Sequence, residues 1–341
     1  MFDFPQTPPT RKIDLQPLTF SQVVSRTLQI YRAKFAIFFL PVLLITLFTT
    51  TVLYALTASL NNRTPVTDTN STIFLNGEND LAQLGPLFAG YGVLALVAIL
   101  TLFFSFLTQV IVHSLITYIT AETVLGRPVT LVQALQAVRA RLRPLIVSIG
   151  SVYLLVLALG LALTIILFAC GFGIGLLVYV LLILTAFIVP VVMLERVGTL
   201  ESIHRTWHLA KRRFWVIAGT NIVVSLFSLI IGLALAQLFG STELPLLISL
   251  VTTFILTPII PIAHTLLYFD ARVRLENFSA EINRADMREP RPADVPSIHY
   301  AAPFMQQGDF VNLAILSVGL IIFIVLQAAL TRQGGTWRLL L

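Results

Sequence analysis

The sequence predicts an all-α integral membrane protein, and three observations lead to this fold class. Hydrophobic residues make up 57% of the 341 residues and charged residues only 11%, whereas charged residues are roughly a quarter of a soluble domain. Seven apolar runs lack Asp, Glu, Lys and Arg, and each is long enough to cross a hydrocarbon core, which takes about 20 helical residues. The basic residues are concentrated in alternate segments between these runs.

The seven runs are the predicted transmembrane helices. In chain order they are 35–59, 90–120, 145–169, 173–194, 214–239, 246–269 and 311–331. They divide the chain into a cytoplasmic N-terminal tail (1–17), a six-helix membrane domain (18–269), a cytoplasmic Pro-rich linker (270–310), a seventh helix and an external C-terminal tail (332–341). The linker is charged and rich in proline, so we expect it to be mostly extended.

The distribution of basic residues predicts the orientation. All of them except Arg63, Arg332 and Arg338 lie in segments that share one side of the membrane. By the positive-inside rule that side is the cytoplasm, which places the N-terminus inside and the C-terminus outside. With a net charge of +6 and a pI near 9.8, this face is expected to meet anionic lipid headgroups. Membrane lipids are therefore the expected partners, with a protein partner as a further possibility and nucleic acid excluded.

Three polar segments share one spacing when they are aligned on Thr19, Thr130 and Thr199. Apolar residues mostly follow one, four and eight positions later, as on one face of a helix. Thr19 with Gln22 and Thr130 with Gln133 have capping-box spacing. We call the predicted amphipathic helices near 19–34, 130–143 and 199–213 elbow helices. Each precedes a transmembrane hairpin, so the architecture is three elbow-plus-hairpin repeats and one extra C-terminal helix.

The elbow helices are expected to lie in the membrane interface. The third carries too many charges to cross the bilayer, where each costs about 2.5–3.5 kcal/mol, so its apolar stripe should face acyl chains and its cations phosphates. The residues predicted to meet headgroups or the interface are Arg32, Arg143, Lys211, Arg212, Arg213 and Trp207.

Histidines are the candidates for cofactor chemistry. His204 and His208 would share one helix face, but a zinc site needs further ligands, so no metal site is predicted. His113 and His264 lie inside apolar runs, where an ionisable group favours a proton relay, a haem or pigment ligand, or a substrate contact. The alternative is a neutral imidazole bonded to a neighbouring helix. We expect no cofactor.

Prolines interrupt two of the predicted spans. Pro190 lies in the fourth span, and Pro258 and Pro261 lie in the sixth. Proline removes a backbone hydrogen bond and bends a helix, and the freed carbonyls can line a substrate path. The alternative is a bend accommodated by packing. The absence of charged residues within the runs disfavours ion-coupled transport.

Two stretches resemble a known family: "VPVVMLERVGTLESIHRTWHLAKRRFWVIAGTNI" and "PLLISLVTTFILTPIIPIAHTLLYFDARVRLE". They are similar to the membrane domain of glycerophosphoryl diester phosphodiesterases and to its stand-alone bacterial relatives. The positions carrying the resemblance or assigned a structural role are Pro190, Glu195, Arg196, Gly198, Trp215, Pro258, Tyr268, Asp270 and Arg272. The resemblance covers roughly 18–277 and implies a six-helix membrane domain. The family's catalytic domain has no counterpart here, so hydrolysis is not implied.

The sequence shows no catalytic constellation. We therefore expect a non-enzymatic multi-pass protein of the bacterial inner membrane that binds lipid or a protein partner. Two alternatives stay open: a transporter or channel-like protein with a substrate path beside the sixth helix, and a haem- or pigment-binding subunit using His113 or His264.

Overall fold

The computed structural model describes residues 15–61, 96–97, 99–167, 172–195, 197–239, 253–284 and 305–332. Every regular element in these ranges is a helix, and six helices there are long and apolar enough to cross a membrane. The chain is therefore a multi-pass helical membrane protein. The predicted N-terminal tail up to residue 14, Arg63, Arg196, Arg338 and residues 246–252 lie outside the described residues.

The helices are numbered in chain order. They are α1 (Phe20–Ala33), α2 (Phe35–Asn61), α3 (Ile99–Val124), α4 (Leu131–Leu167), α5 (Phe172–Leu194), α6 (Thr199–Lys211), α7 (Phe214–Phe239), α8 (Ile259–Glu276), α9 (Phe278–Arg284) and α10 (Gln307–Arg332). Within α3, residues Gln109–His113 form a π-helical turn.

Both predicted capping boxes are present. The Thr19 amide donates to the Gln22 side chain at 2.8 Å, and the Gln22 amide donates back to Thr19 Oγ1 at 3.4 Å. Thr130 and Gln133 exchange the same two bonds at 3.0 and 3.3 Å. Gly198 precedes α6 without a side-chain cap, so the third helix begins differently.

The second elbow helix does not exist as a separate element. Of the predicted residues 130–143, those from Leu131 onward form the start of α4, which runs unbroken for 37 residues with Pro144 inside it. At 1.5 Å per residue α4 is about 55 Å long, more than a bilayer core of about 30 Å requires. The other two elbows, α1 and α6, are separate helices ended at Lys34 and at Arg212–Arg213. The threefold repeat stays a prediction.

The prediction of a mostly extended linker is wrong for its first part. The helix α8 continues past the predicted end at residue 269 to Glu276, and α9 follows it. The chain stays helical because charged side chains of α8 find partners inside the protein, as described below. Residues 285–304 lie outside the described part, as do 333–341 of the predicted C-terminal tail.

The core is built around α5 and α8. The residues from Ile183 to Leu194 of α5, including Pro190, are almost all buried, and those from Pro261 to Arg272 of α8 are all buried. A turn at Thr257–Pro258 interrupts the sixth span before α8 begins, as expected for proline. Helices α2, α4, α7 and α10 surround these two and expose many large apolar side chains.

Candidate functional site

A cluster of charged side chains is buried where α5, α6 and α8 meet. Glu195 follows α5, Arg205 lies on α6, and Tyr268, Arg272 and Glu276 recur every fourth residue along α8. That spacing puts the last three on one helix face. None of the five residues is more than 6% exposed. We call these five residues the buried ion cluster.

Each charge in the buried ion cluster meets the opposite charge. Arg205 Nε donates to Glu195 Oε2, and Arg205 Nη1 and Nη2 each lie 2.8 Å from a Glu276 carboxylate oxygen. Arg272 Nε donates to Glu276 Oε2 at 2.8 Å. Tyr268 donates to Glu195 Oε1 at 2.6 Å and accepts from Arg272 Nη1 at 3.2 Å. Two carboxylates and two guanidinium groups therefore leave the cluster formally neutral.

The carboxylates of the cluster stabilise the charged form of Arg205. Burial alone would lower the pKa of Arg205, but the Glu195 and Glu276 carboxylates outweigh burial and raise that pKa above its ordinary value. The Arg272 guanidinium also lies 4.2 Å from the centroid of the Phe278 ring, a cation–π contact. The cluster thus joins the middle of α6 to the ends of α5 and α8 and to the start of α9, and its charges hold these helices together.

A second ion cluster joins the start of α1 to α8. Asp270 Oδ1 accepts from the Leu18 amide at 2.7 Å and from Arg274 Nε at 2.9 Å. Arg274 also donates to the Leu18 carbonyl at 2.9 Å. Arg213, in the turn between α6 and α7, lies 2.7 Å from Asp270 Oδ2. One carboxylate therefore joins three parts of the chain.

A fourth carboxylate, Asp309, anchors α10. Asp309 accepts from the Tyr179 hydroxyl of α5 at 2.9 Å and from the Gln306 amide at 2.7 Å, and Lys211 Nζ lies 3.6 Å away.

Further along these two helices, a Cβ added to Gly175 of α5 would lie 1.9 Å from Ser317 Oγ of α10. Only glycine allows α5 and α10 to approach so closely.

The structure corrects the placement predicted for part of α6. Trp207 is 1% exposed and packs edge-on against Tyr179 at 6.1 Å between ring centroids, so it does not face acyl chains. Lys211 is buried beside Asp309, and Arg213 is half-buried against Asp270. The reason is that α6 packs along α5 instead of lying on the outside of the bundle. Protein therefore covers Trp207 at one end of the apolar stripe, whereas Leu200 at the other end is 83% exposed.

The exposed charges are of one sign. Among the described residues, the charged side chains that are exposed are all arginines: Arg26, Arg32, Arg139, Arg143, Arg212 and Arg274. Every described Asp and Glu is buried or half-buried. Three of the arginines predicted to meet headgroups, Arg32, Arg143 and Arg212, are thus exposed, and the described surface is cationic.

The two histidines of α6 form a pair. Their Nε2 atoms are 3.1 Å apart, with His204 exposed and His208 buried beneath it. Burial, helped by the charges of Lys211, His204 and Arg212, lowers the pKa of His208 to about 4, so His208 is neutral at pH 7. Among the described residues, no group of three His, Cys, Asp or Glu is placed to hold a metal ion.

The histidines at membrane depth lie on α3 and α8. His113 ends the π-helical turn of α3. His264 Nε2 lies 3.3 Å from the Asn221 amide nitrogen of α7, the bond to a neighbouring helix that a neutral imidazole would make. The next residue of the same helix, Thr265, lies 3.3 Å from Thr117 of α3. These contacts form a small buried polar layer between α3, α7 and α8.

Several site residues were not found from the sequence. The positions Glu195, Tyr268, Asp270 and Arg272 were singled out by the resemblance, and the structure brings all four to the ends of α5 and α8. Their partners Arg205 and Glu276 were missed, and so was the separate contact between Tyr179 and Asp309. The four-residue spacings of Arg272 with Glu276 and of Asp270 with Arg274 were local signals for ion pairs. The contacts of Arg205 with Glu276 and of Tyr179 with Asp309 join distant parts of the chain.

Comparison with known proteins finds no matching family model, no matching curated protein and no matching solved structure. The resemblance to the phosphodiesterase membrane domain stays a prediction.

Proposed function

We propose that the protein is a non-enzymatic module of a bacterial inner membrane whose exposed arginines bind anionic phospholipid headgroups. One observation carries this proposal: every described carboxylate is buried or half-buried, while the exposed charged side chains are arginines. An arginine makes charge-assisted, often bidentate hydrogen bonds to phosphate. Near an anionic membrane surface each basic residue contributes about 1 kcal/mol to association.

The buried carboxylates support a non-enzymatic role. Glu195, Glu276, Asp270 and Asp309 each lie within 4 Å of at least one Lys or Arg nitrogen. A carboxylate held by a cation is a poor base, because the pairing stabilises its ionised form. In the part of the core that the structure describes, these carboxylates and their Lys and Arg partners thus hold helices together.

In the proposed topology the arginine-rich ends face the cytoplasm and α10 is the seventh crossing. Helix α10 has 26 residues, or about 39 Å, enough to span the hydrocarbon core. One side packs on α5 through Ser317 and Gly175. Another exposes apolar side chains, among them Val311, Ile315 and Ile322. A helix of that length with a lipid-compatible face supports a span.

Native mass spectrometry tests the lipid proposal. The protein is extracted from vesicles that hold equal amounts of phosphatidylglycerol and phosphatidylcholine, and the retained lipids are identified. We expect phosphatidylglycerol to be retained in preference. Equal retention of both lipids, or retention of neither, would refute the proposal.

A substrate path is the second candidate function. The turn at Thr257–Pro258 breaks the sixth span just before the buried polar layer that contains His264 and Thr117. Broken helices beside buried polar groups occur in transporters. After replacement of the single cysteine, Cys170→Ser, a Thr117→Cys variant would react with a small water-soluble thiol reagent if a path exists. Complete protection in folded protein, with reaction after denaturation, would refute it.

A further inference from the structure

Helix α4 carries two exposed arginines, Arg139 and Arg143, one helical turn apart. Exposed apolar residues continue the same helix face on either side of them: Val132, Leu135, Leu142, Ile146, Leu154, Leu157 and Leu161. The face is therefore an apolar stripe interrupted once, by two positive charges.

Packing fixes the direction in which this stripe points. On the opposite side of α4, Ala134, Val138 and Leu145 are at most 4% exposed. Arg141 also points away from the stripe, and its Nη1 lies 3.5 Å from the Val192 carbonyl of α5. A rotation of α4 large enough to bury Arg139 and Arg143 would break these contacts.

The two guanidinium groups repel each other, since like charges at this spacing destabilise a helix. Within the described residues neither Arg139 nor Arg143 forms an ion pair with a carboxylate. An anion placed between them would remove this repulsion. Two guanidinium groups that converge on one group favour a doubly charged phosphate over a singly charged one.

The position of Arg139 and Arg143 along α4 fits the depth at which phospholipid headgroups lie. From Arg143 to Leu161 the helix rises about 27 Å, close to the thickness of a hydrocarbon core of about 30 Å. Pro144 follows directly and cannot bond the Ala140 carbonyl, so α4 can bend where the arginines sit. Acyl chains can then cover Ile146 to Leu161 while the arginines stay among phosphates.

We propose that Arg139 and Arg143 form a binding site for a phospholipid with a doubly charged headgroup, whose acyl chains lie along the stripe from Ile146 to Leu161. This inference rests on the proposed function and adds a place and a headgroup class to it. Both ends of the ligand are recognised: phosphate by the arginine pair, and hydrocarbon by the leucines beyond it.

Lipid titration followed by native mass spectrometry tests the site, with phosphatidate as the doubly charged probe and phosphatidylglycerol as the singly charged one. The site variant is Arg139→Gln/Arg143→Gln. The matched control is Arg26→Gln/Arg32→Gln, which removes the same charge from exposed positions of α1. In wild type we expect phosphatidate to bind about ten-fold more tightly than phosphatidylglycerol, since roughly one further phosphate charge is paired.

The site variant should lose this preference, whereas the α1 control should weaken both lipids equally and keep it. Excess inorganic phosphate should not displace phosphatidate, because free phosphate lacks the acyl chains that cover the stripe; displacement would overturn the lipid as ligand. A wild type that binds phosphatidylglycerol in preference to phosphatidylcholine without favouring phosphatidate would overturn this inference alone. A wild type that prefers neither anionic lipid to phosphatidylcholine would overturn the proposed function as well.

Discussion

Helices α5 and α8 differ from α4 and α7 in what covers them. Buried residues make up 67% and 72% of the spans that contain α5 and α8, but only 22% of those that contain α4 and α7. Yet the span with α8 is the least apolar of the four. Charge explains this order: Asp270, Arg272 and Glu276 of α8 must be paired away from lipid, whereas the leucines of α4 and α7 can face acyl chains.

This comparison shows that apolar character and burial are separate properties in a membrane protein. In a bilayer, apolar side chains lose little by facing lipid, so packing selects small and polar residues for the inside. The charged inner helices and the apolar outer helices should therefore respond differently to the same substitution.

The largest contrast is expected between Arg205 in the middle of α6 and Arg212 just after its end. Arg205→Leu leaves Glu195 and Glu276 without their shared partner, and removal of one member of a buried pair costs about 3–5 kcal/mol. Arg212→Leu, at an exposed position just after α6, should change stability by less than about 0.5 kcal/mol. Unfolding in mixed micelles measures both. Equal losses would show that the buried ion cluster does not hold the inner helices.

A second contrast concerns glycines. Gly175→Ala places a methyl group against Ser317 of α10 and should cost about 1–3 kcal/mol by overpacking. Gly232→Ala in α7 has nothing within 4 Å of the new methyl group and should gain up to about 1 kcal/mol. Ser317→Gly should recover part of the first loss. A stable Gly175→Ala protein would refute the close packing of α10.

The histidine pair sharpens the comparison through pH. The pKa of His208 is lowered from 6.5 to about 4 by burial and by Lys211, His204 and Arg212, with Asp309 opposing them. The unfolded chain therefore binds more protons between pH 6.5 and 4, so the stability contributed by neutral His208 is present above pH 6.5 and is lost as pH falls toward 4.

We expect this loss to reach about 3 kcal/mol, because each unit of the pKa difference is worth about 1.4 kcal/mol. Thermal unfolding at several pH values measures it, and His208→Gln should remove that part of the pH dependence. His204→Gln, at the exposed member of the pair, should leave most of it. If His204→Gln removed the pH dependence and His208→Gln left it, His208 would not be the buried imidazole responsible for it.

The smallest effect is expected on the outside. Arg32→Gln should weaken binding to anionic lipid about five-fold, since one basic residue contributes about 1 kcal/mol near such a surface. Gln29→Ala, another exposed position of α1, is the control and should change nothing. Tighter binding by the Arg32→Gln variant would contradict a headgroup contact.

The sequence predicted the elements that have local signals better than those that depend on distant partners. Long uncharged runs and capping boxes are local signals, so the spans containing α2, α5 and α7 and the starts of α1 and α4 could be found from them. The end of α8 could not be predicted from such signals, because its helical continuation depends on partners far away in sequence. The amphipathic pattern of α6 likewise could not show that protein, instead of lipid, covers Trp207.

The exposure of the cationic side chains was also predictable only in part. Arg32, Arg143 and Arg212 share a position in the aligned segments and are exposed in the structure. Lys211 and Arg213 have the same local surroundings in sequence, yet they pair with Asp309 and Asp270. Charge and spacing alone do not distinguish a lipid-facing cation from one with a distant carboxylate partner.

The central claim is that the outward-facing charges select anionic lipid, and fluorescence quenching in defined bilayers tests it most directly. Trp215 is 48% exposed, so brominated lipids near it should quench the protein's emission. Exchange between brominated phosphatidylglycerol and brominated phosphatidylcholine gives their relative binding constant. We predict a constant well above one that falls toward one as salt screens the arginines. A value of one at every salt concentration would contradict the account.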